Sequence, residues 1–202
     1  MLITIEGIDG SGKSTLMETL KQRCTDLDPV FTREPGATWV GGQVRRAVAE
    51  GTDPITEALL FIADHAAHLS SVVTPALEEG RLVISDRFTD SRYAYQSVTL
   101  AGLLPDPLAW LRSCHSGWSV RPDLTFLLTL PPEEAVARLD PASTREHFES
   151  AEVLSRVQEC YMALVRDDPG RFLVVDALLA PDAVSSFVEA EIRRAVISRP
   201  GR

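Results

Sequence analysis

The 202-residue sequence contains no asparagine and only two lysines, Lys13 and Lys21, so eighteen of its 20 basic residues are arginines. Without asparagine there is no acceptor for N-glycosylation. The 29 acidic residues outnumber the 20 basic ones, and the net charge of −9 argues against binding a nucleic-acid polymer, which requires a basic face. A small nucleotide needs only one local cationic pocket and is compatible with this composition.

Cysteine and long apolar stretches are also scarce. The three cysteines are scattered and odd in number, so they fit neither a disulfide framework nor a zinc pattern, and they are expected to be reduced thiols. The N-terminal run meets Glu6 too early for a signal peptide, and no apolar run approaches membrane-spanning length. We therefore expect a cytoplasmic protein without a membrane partner. A chain of this length is expected to form one domain over residues 1–202.

Apolar, β-branched runs alternate with helical patterns along the chain. Strands are predicted at Leu2–Glu6, Val30–Thr32, Arg81–Ser85, Leu124–Leu130 and Phe172–Val175. Helices are predicted over Ser14–Arg23, from the Asp53 cap and Pro54 to about Val73, and in an amphipathic C-terminal segment. Strands that alternate with helices predict an α/β fold, in which a parallel sheet is covered by helices on both faces.

The segment GIDGSGKS, from Gly7 to Ser14, fits the phosphate-binding pattern G-x-x-x-x-G-K-[ST] and lies between a predicted strand and a predicted helix. Its glycines let backbone N–H groups surround phosphate oxygens, and the helix start adds its positive end. Lys13 is expected to reach the β- and γ-phosphates, and the Ser14 hydroxyl to hold Mg²⁺. The alternative, a glycine-rich turn with a chance lysine, is disfavoured by the strand–loop–helix context. The residues expected to contact ATP here are Gly7, Gly10, Ser11, Gly12, Lys13, Ser14 and Thr15.

The phosphate-binding loop alone does not separate a kinase from a switch GTPase or a motor ATPase. Guanine-specific switches read their base with an Asn-Lys-x-Asp element, which a chain without asparagine cannot contain. A motor or transporter ATPase normally carries further domains, for which this chain has no room. A small kinase is the interpretation that remains.

Four further motifs follow in a particular order. They are TREPGAT at Thr32–Thr38, EALLF at Glu57–Phe61, DRF at Asp86–Phe88 with Ser91 and AYQ at Ala94–Gln96, and RPDLT at Arg121–Thr125. Together with EGIDG at Glu6–Gly10, they resemble the thymidylate kinase family, P-loop enzymes that phosphorylate dTMP with ATP. The resemblance covers nearly the whole chain. It implies a P-loop NTPase fold with a five-stranded parallel sheet, a short lid, and a homodimer.

The resemblance also implies a site for the phosphate and sugar of dTMP. Asp9 would contact the deoxyribose 3′-hydroxyl and help to organise the acceptor phosphate. Arg33 and Arg87 would bracket that phosphate, with Arg45 nearby. Pro35 follows Glu34 where the family tends to have a cis peptide, which would aim the phosphate-binding turn.

Three aromatic and amide side chains complete the dTMP site that the resemblance implies. Phe61 would stack on the pyrimidine ring, although simple core packing is the alternative for an aromatic residue on an apolar helix face. Tyr95 would press on the sugar edge and disfavour a 2′-hydroxyl. Gln96 would form a hydrogen bond with the base edge.

Asp86 and Arg87 follow an apolar predicted strand. A carboxylate at that strand end can face the phosphate-binding loop and hold Mg²⁺ or its water, as a Walker-B aspartate does. Arg87 would point into the same crevice, where ligands of open α/β folds bind. The alternatives are a helix cap for Asp86 and a surface salt bridge for Arg87.

The segment from about residue 138 to 150 corresponds to the family's mobile lid. Some members carry a catalytic arginine inside the phosphate-binding loop, at the position that is Gly10 here, so the resemblance implies a lid arginine instead. Arg145 is the only arginine between Arg138 and Arg156 and is expected to spread transition-state charge. Arg138 would lie flat against the adenine. The alternative for Arg145 is a solvated helix start. The residues expected to act in catalysis are Asp9, Lys13, Arg87 and Arg145.

Two positions depart from the family pattern. The arginine that usually follows the stacking phenylalanine by one helical turn is replaced by His65, and Arg92 stands where the family usually has serine. Arg92, Tyr95 and Gln96 are spaced i, i+3 and i+4, so they share one helix face. We expect Arg92 to take over the contact with the base carbonyl while His65 fills the vacated space. The alternative is that Arg92 points to solvent and His65 is merely packed.

The departures at His65 and Arg92 leave other functions open. A kinase for another nucleoside monophosphate or a modified pyrimidine is one alternative, and a non-catalytic nucleotide-binding module is another. Arginine only donates hydrogen bonds, so it suits the O4 carbonyl of thymine or uracil and not the amino group of cytosine. The expected substrates are therefore ATP with dTMP first, dUMP second and dCMP poorly.

The lid assignment predicts that Arg145→Ala lowers kcat by about a hundredfold or more, because a residue that acts only on transition-state charge affects the chemical step. Steady-state kinetics with ATP and dTMP would measure this. An unchanged kcat would show that the catalytic arginine lies elsewhere.

Overall fold

The sheet of the protein has five parallel strands in the order β2-β3-β1-β4-β5. Their bounds are β1 (Leu2–Gly7), β2 (Val30–Arg33), β3 (Val83–Asp86), β4 (Leu124–Thr129) and β5 (Phe172–Asp176). This computed structural model describes residues 1–139 and 147–198. Each of the five predicted strands is present, and each observed end lies within two residues of its predicted position.

Helices pack around this sheet in two groups, as the α/β pattern predicts. Their bounds are α1 (Lys13–Arg23), α2 (Trp39–Glu50), α3 (Pro54–His68), α4 (Thr74–Glu78), α5 (Thr89–Thr99), α6 (Pro107–His115), α7 (Pro132–Ala137), α8 (Ala151–Asp167) and α9 (Pro181–Ser198). Helix α1 packs against α9, β1 and β3, whereas α5 packs against β1, α3, α6 and α8. Within the described ranges, no helix has the length and apolarity needed to cross a membrane.

The start of α3 lies where the sequence predicts it, but its end does not. The Asp53 carboxylate accepts a hydrogen bond from the Thr56 N–H at 3.0 Å, and Pro54 occupies the first helical position, where its missing N–H costs nothing. The prediction of one helix to about Val73 was wrong in detail. The α-helix ends at His68, and Leu69–Val73 form a turn of π-helix before α4. The apolar pattern continues through this wider turn, so periodicity does not reveal it.

The alignment of three strands determines where the functional segments meet. Strand β1 is central and buried along its whole length. Ile5 lies opposite Asp86 of β3, and Asp86 in turn lies opposite Arg33 of β2. Since parallel strands point the same way, the segments that follow β1, β2 and β3 emerge at one edge of the sheet.

A buried ion pair fixes the first turn of α5 on this sheet. Both guanidinium Nη atoms of Arg171 donate to the Asp90 carboxylate, at 2.6 and 2.9 Å. Arg171 also donates to the Thr125 hydroxyl of β4 at 2.7 Å. Asp90 is 1% exposed and Arg171 is 8% exposed, so solvent barely screens the pair. Removing one partner would leave a buried charge without compensation.

We expect Arg171→Met to lower the free energy of unfolding by about 3–5 kcal/mol, because it leaves the Asp90 carboxylate buried without its cation. Arg112→Met is the matched control, since Arg112 forms a 2.7 Å ion pair with Asp167 in which both side chains are about half exposed. Such an exposed pair is worth at most about 1 kcal/mol. Urea unfolding measures both variants, and equal losses would contradict a stabilising role for the buried pair.

Candidate active site

The phosphate-binding loop links the end of β1 to the start of α1. Gly10 and Gly12 have φ values of +79° and +90°, which side chains other than glycine rarely adopt. A Cβ on Gly10 would lie 2.1 Å from the carbonyl oxygen of Ala135, so α7 also requires glycine there. Lys13 donates from Nζ to the carbonyl oxygens of Gly7 and Ile8, at 3.0 and 2.9 Å. Burial lowers the pKa of Lys13 to about 8.

This loop forms one side of a cavity of about 590 Å³, which we call the loop cavity. The predicted ATP contacts that line it are Gly10, Ser11, Gly12, Lys13, Ser14, Thr15 and Arg138. Arg138 donates to the carbonyl oxygen of Ala177 at 3.1 Å, in the turn after β5. Gly7 lies just beneath the loop, where a Cβ would come within 2.5 Å of the Leu128 carbonyl oxygen. Loop backbone, Lys13 and two arginines, Arg87 and Arg138, thus surround a single space.

A second cavity of about 270 Å³, which we call the base cavity, lies beside the loop cavity. Nine of the ten predicted dTMP contacts line it: Asp9, Arg33, Pro35, Arg45, Phe61, Arg87, Arg92, Tyr95 and Gln96. The tenth, His65, is not among the lining residues of the described chain; it is fully buried behind them. Arg33 and Arg45 converge over Gly36, since a Cβ there would lie 3.0 Å from Arg33 Nε and 2.5 Å from Arg45 Nη1.

Asp9, Asp86 and Arg87 line both cavities and form the wall between them. Arg87 forms an ion pair with Asp9 and donates to the carbonyl oxygen of Gly7 at 3.1 Å. The Tyr95 hydroxyl donates to Asp9 at 2.8 Å. Burial disfavours the Asp9 carboxylate, but Arg87, Lys13 and Tyr95 outweigh burial and hold its pKa below the usual value. In this wall, the Asp9 carboxylate and the Arg87 guanidinium therefore hold each other in place.

Arg87 reaches this wall because its backbone is in the left-handed region, with φ of +65°. Such a conformation is costly for a residue with a Cβ and persists only where its surroundings impose it. The Ser85 hydroxyl donates to the Arg87 carbonyl oxygen at 2.7 Å, and the next N–H, of Phe88, donates to the Glu6 carboxylate at 2.7 Å. These contacts turn the chain sharply after β3 and direct Arg87 toward the loop.

Two carboxylates without a predicted role, Glu6 and Glu34, support the site from behind. Glu6 accepts hydrogen bonds from the hydroxyls of Ser91 and Tyr161, and Ser91 accepts from Arg87 Nη1 at 3.1 Å. Burial, and then the charge of Asp90, raise the pKa of Glu6 to about 7. Glu34, the other carboxylate, contacts both positions that depart from the family pattern. Both glutamates stand within quoted motifs, but a motif alone does not show that a charged side chain is buried.

The Glu34 carboxylate is the centre of a buried cluster. Arg92 Nη1 forms an ion pair with one carboxylate oxygen, while His65 Nδ1, at 2.9 Å, and His68 Nδ1 bond to the other. Arg92 Nε donates to His115 Nε2 at 3.3 Å. Arg92 is 2% exposed and lines the base cavity, so the alternative in which it points to solvent is wrong. Positions 65 and 92 therefore meet at one carboxylate, but only Arg92 reaches the cavity.

Phe148 is a lining residue that no sequence motif predicted. It is 3% exposed, lines the base cavity, and packs edge-on against Tyr95 with ring centroids 5.4 Å apart. The predicted catalytic arginine, Arg145, lies outside the described residues, which stop at 139 and resume at 147.

Ser14 and Asp86 are the residues that fit a magnesium ion. Both line the loop cavity, and Asp86 Oδ1 is a buried oxygen without a hydrogen-bond partner among the described residues. No group of three or more histidine, cysteine, aspartate or glutamate side chains in the described part of the chain could hold a metal. One carboxylate and one hydroxyl match Mg²⁺, which keeps several waters and takes its remaining ligands from substrate phosphates.

These features define the class of the protein. A loop cavity built on a strand–loop–helix unit, next to a second cavity with arginines and an aromatic ring, is the arrangement of a P-loop kinase that acts on a nucleoside monophosphate. The thymidylate kinase family model matches residues 5–188, so the chain belongs to the thymidylate kinase family. Membership assigns it the ATP-dependent phosphorylation of dTMP, and it disfavours both another pyrimidine monophosphate and a non-catalytic module.

Similar proteins support the same family assignment, and the chain matches them over almost their full lengths. The chain is 66% identical to the probable thymidylate kinase of Methanoculleus marisnigri over 193 residues, which cover 96% of this chain and 94% of the relative. It is 58% identical to the probable thymidylate kinase of Methanocorpusculum labreanum, with 96% and 98% covered. The probable thymidylate kinase of Natronomonas pharaonis is 45% identical, with 95% of each chain covered.

The buried imidazoles of His65 and His115 predict a loss of stability in acid. Burial first, and the positive charge of Arg92 second, lower the pKa of each from 6.5 to about 4. As the pH falls below 6.5, the unfolded chain takes up protons that the folded protein does not, so the free energy of unfolding decreases until about pH 4. Between about pH 7 and about pH 5, each imidazole should lower the free energy of unfolding by about 2 kcal/mol.

Urea unfolding of the parent protein and of His115→Gln at these two pH values tests this. Glutamine cannot titrate, so the parent should lose about 2 kcal/mol more than the variant over the interval. Equal losses in the two proteins would contradict a neutral, buried His115.

Proposed function

We propose that the loop cavity binds ATP, that the base cavity binds dTMP, and that the γ-phosphoryl group passes directly between them to give dTDP. The observation that carries this proposal is the wall of Asp9, Asp86 and Arg87, which the two cavities share. Two nucleotides bound on opposite sides of this wall would bring their phosphates together at the carboxyl ends of the strands, where open α/β folds bind ligands.

The side chains at this wall suit a direct, in-line transfer. The acceptor phosphate is already an anion, so neither a strong general base nor a covalent intermediate is needed. Catalysis then consists of positioning two anionic groups and neutralising their charge. Lys13 would serve the donor phosphates, and with its pKa near 8 it keeps most of its positive charge at neutral pH. Arg33 and Arg87 would hold the acceptor phosphate, and Arg145 of the lid would stabilise the transferring group.

Mg²⁺ is the cofactor that we assign to Ser14 and Asp86. When bound, the ion would neutralise phosphate charge on the donor nucleotide. Asp86 lines the loop cavity and has a buried oxygen without a hydrogen-bond partner in the described part of the chain, and Ser14 lies in the first turn of α1 beside Lys13. Arg138, which lines the same cavity, would lie against the adenine ring.

The proposed base preference rests on two buried nitrogen atoms that have no partner among the described residues, Arg92 Nη2 and Gln96 Nε2. Both side chains line the base cavity, as does Phe61, which would stack on the ring. Arg92 would donate to O4 of thymine. A half turn of the Gln96 amide exchanges its two ends, so it can offer its carbonyl oxygen to N3–H. Cytosine has an amino group in place of O4, and Arg92 cannot accept a hydrogen bond from it because arginine has only donors.

The test is a coupled assay with ATP and a panel of nucleoside monophosphates. We expect dTMP to be the best acceptor, dUMP the second and dCMP a poor one. Arg92→Ser should raise KM for dTMP by the equivalent of roughly 1–3 kcal/mol, with little change for ATP, because it removes one contact to the base. Arg112→Ser, at an exposed ion pair, is the control. Preference for dCMP or a purine would refute the substrate assignment, and a KM shift confined to ATP would exclude Arg92 as a base contact.

We also infer a single catalytic domain with its lid at about residues 138–150, and a homodimer that works in the cytoplasm. The dimer is supported by the family resemblance and by apolar side chains left exposed on α3, where Ile55 is 38% and Leu59 is 49% exposed. Sedimentation analysis at micromolar concentration measures the mass, and a monomer would contradict this inference.

A further inference from the structure

Arg92 is held from behind by two different partners. Its Nη1 pairs with the Glu34 carboxylate, and its Nε donates to His115 Nε2 at 3.3 Å. Only Nη2 lacks a partner among the described residues, and the side chain lines the base cavity. Two of the three guanidinium nitrogens are therefore used for support, and one remains for a ligand.

The partners of His115 fix the position of its proton. A carbonyl oxygen only accepts hydrogen bonds, so Nδ1, which lies 2.7 Å from the carbonyl oxygen of Leu111, must carry the hydrogen. His115 Nε2 then presents a lone pair, and this is what the Nε–H of Arg92 requires. A proton on Nε2 would place two donors against each other and a second positive charge beside Arg92.

The histidines around Glu34 obey the same rule. Arg92 and the two imidazoles keep the pKa of Glu34 well below its usual value despite burial, so Glu34 is an acceptor and the Nδ1 atoms of His65 and His68 must donate. His65 Nε2 then accepts from the Ser119 hydroxyl at 2.8 Å, and His68 Nε2 forms a 2.6 Å hydrogen bond with the Thr32 hydroxyl. Every ring nitrogen is satisfied, so the carboxylate that holds Arg92 cannot turn without breaking other bonds.

We propose that Glu34 and His115 are positioning residues that direct Arg92 toward the base, so that base selectivity depends on the partners that hold Arg92 as well as on Arg92 itself. His65 and His68 act one step further back, by fixing the Glu34 carboxylate. A free arginine side chain would lose rotational freedom about several bonds when it binds a ligand. One that is held on two sides is already in its bound orientation. This inference rests on the proposed function, because it assumes that Arg92 reads dTMP.

Two substitutions of His115 separate positioning from packing. In His115→Gln, the amide oxygen can take the place of Nε2 and accept from Arg92, while the bond to the Leu111 carbonyl is lost. In His115→Asn, the amide N–H₂ can take the place of Nδ1 and donate to Leu111, while the acceptor for Arg92 is lost. Each variant keeps one bond and loses the other, so the two lose the same number of hydrogen bonds, and thermal unfolding measures the effect of the methylene that asparagine lacks.

The measurements are kcat and KM for dTMP, dCMP and ATP, with thermal unfolding of each variant as a control for structural damage. We expect His115→Asn to raise KM for dTMP by about tenfold or more, without changing KM for ATP or activity on dCMP. His115→Gln should stay within about threefold of the parent. Equal KM values for dTMP in the two variants, or an equal effect on ATP, would overturn the inference.

A second measurement needs no variant. Nitrogen-15 spectra of the uniformly labelled parent should show His115 as the Nδ1–H tautomer, with an Nε–H signal of Arg92 that is protected from exchange. A proton on Nε2 of His115 would overturn the positioning role even if neither variant folds. Failure of the parent to phosphorylate dTMP would instead overturn the proposed function, so the two outcomes are distinct.

Discussion

The parallel alignment of β1, β2 and β3 is the constraint on which the rest of the site depends. It sets Ile5, Asp86 and Arg33 side by side, so the three segments that follow these strands leave the sheet at one edge. Charged groups separated by more than fifty positions in the chain thereby share one wall between two cavities. Hydrogen bonds continue the ladder beyond the strands, from Glu34 N–H to the Asp86 carbonyl oxygen at 3.0 Å and from Arg87 N–H to that of Ile5 at 2.9 Å.

Buried carboxylates organise what the alignment brings together. Glu6 supports Ser91 beneath Arg87 on the phosphate side, and Glu34 supports Arg92 on the base side. Each carboxylate is buried, and each compensates for lost hydration with several hydrogen bonds. The Asp90–Arg171 pair secures the helix that carries Ser91, Arg92, Tyr95 and Gln96. Cationic side chains that line the two cavities are therefore held in place by buried anions.

The sequence predicted the strands well because each is a short apolar, β-branched run with clear breaks, and it predicted the phosphate-binding loop because glycine and lysine have few other reasons to occur in that pattern. It failed where tertiary contacts decide. The π-helical turn at Leu69–Val73 keeps an apolar face, so periodicity passed over it. Helix α2 has no counterpart among the sequence predictions, since its Thr38 cap follows a turn-rich stretch. His65 was expected to fill the space of the missing arginine as part of the dTMP site, but it lies behind Arg92, where its imidazole bonds to Glu34 and Ser119 in the interior.

Gly10 has a consequence for how enzymes of this kind can change. Its backbone is left-handed, and the carbonyl oxygen of Ala135 occupies the place where a side chain would begin. An arginine introduced at this position by one substitution would collide with α7 before its guanidinium reached any phosphate. A change from the lid arginine proposed above to a loop arginine would thus require α7 to shift as well. This steric block separates the two designs by more than one mutational step, and any intermediate sequence would have to tolerate a displaced helix before it gained a new catalytic group.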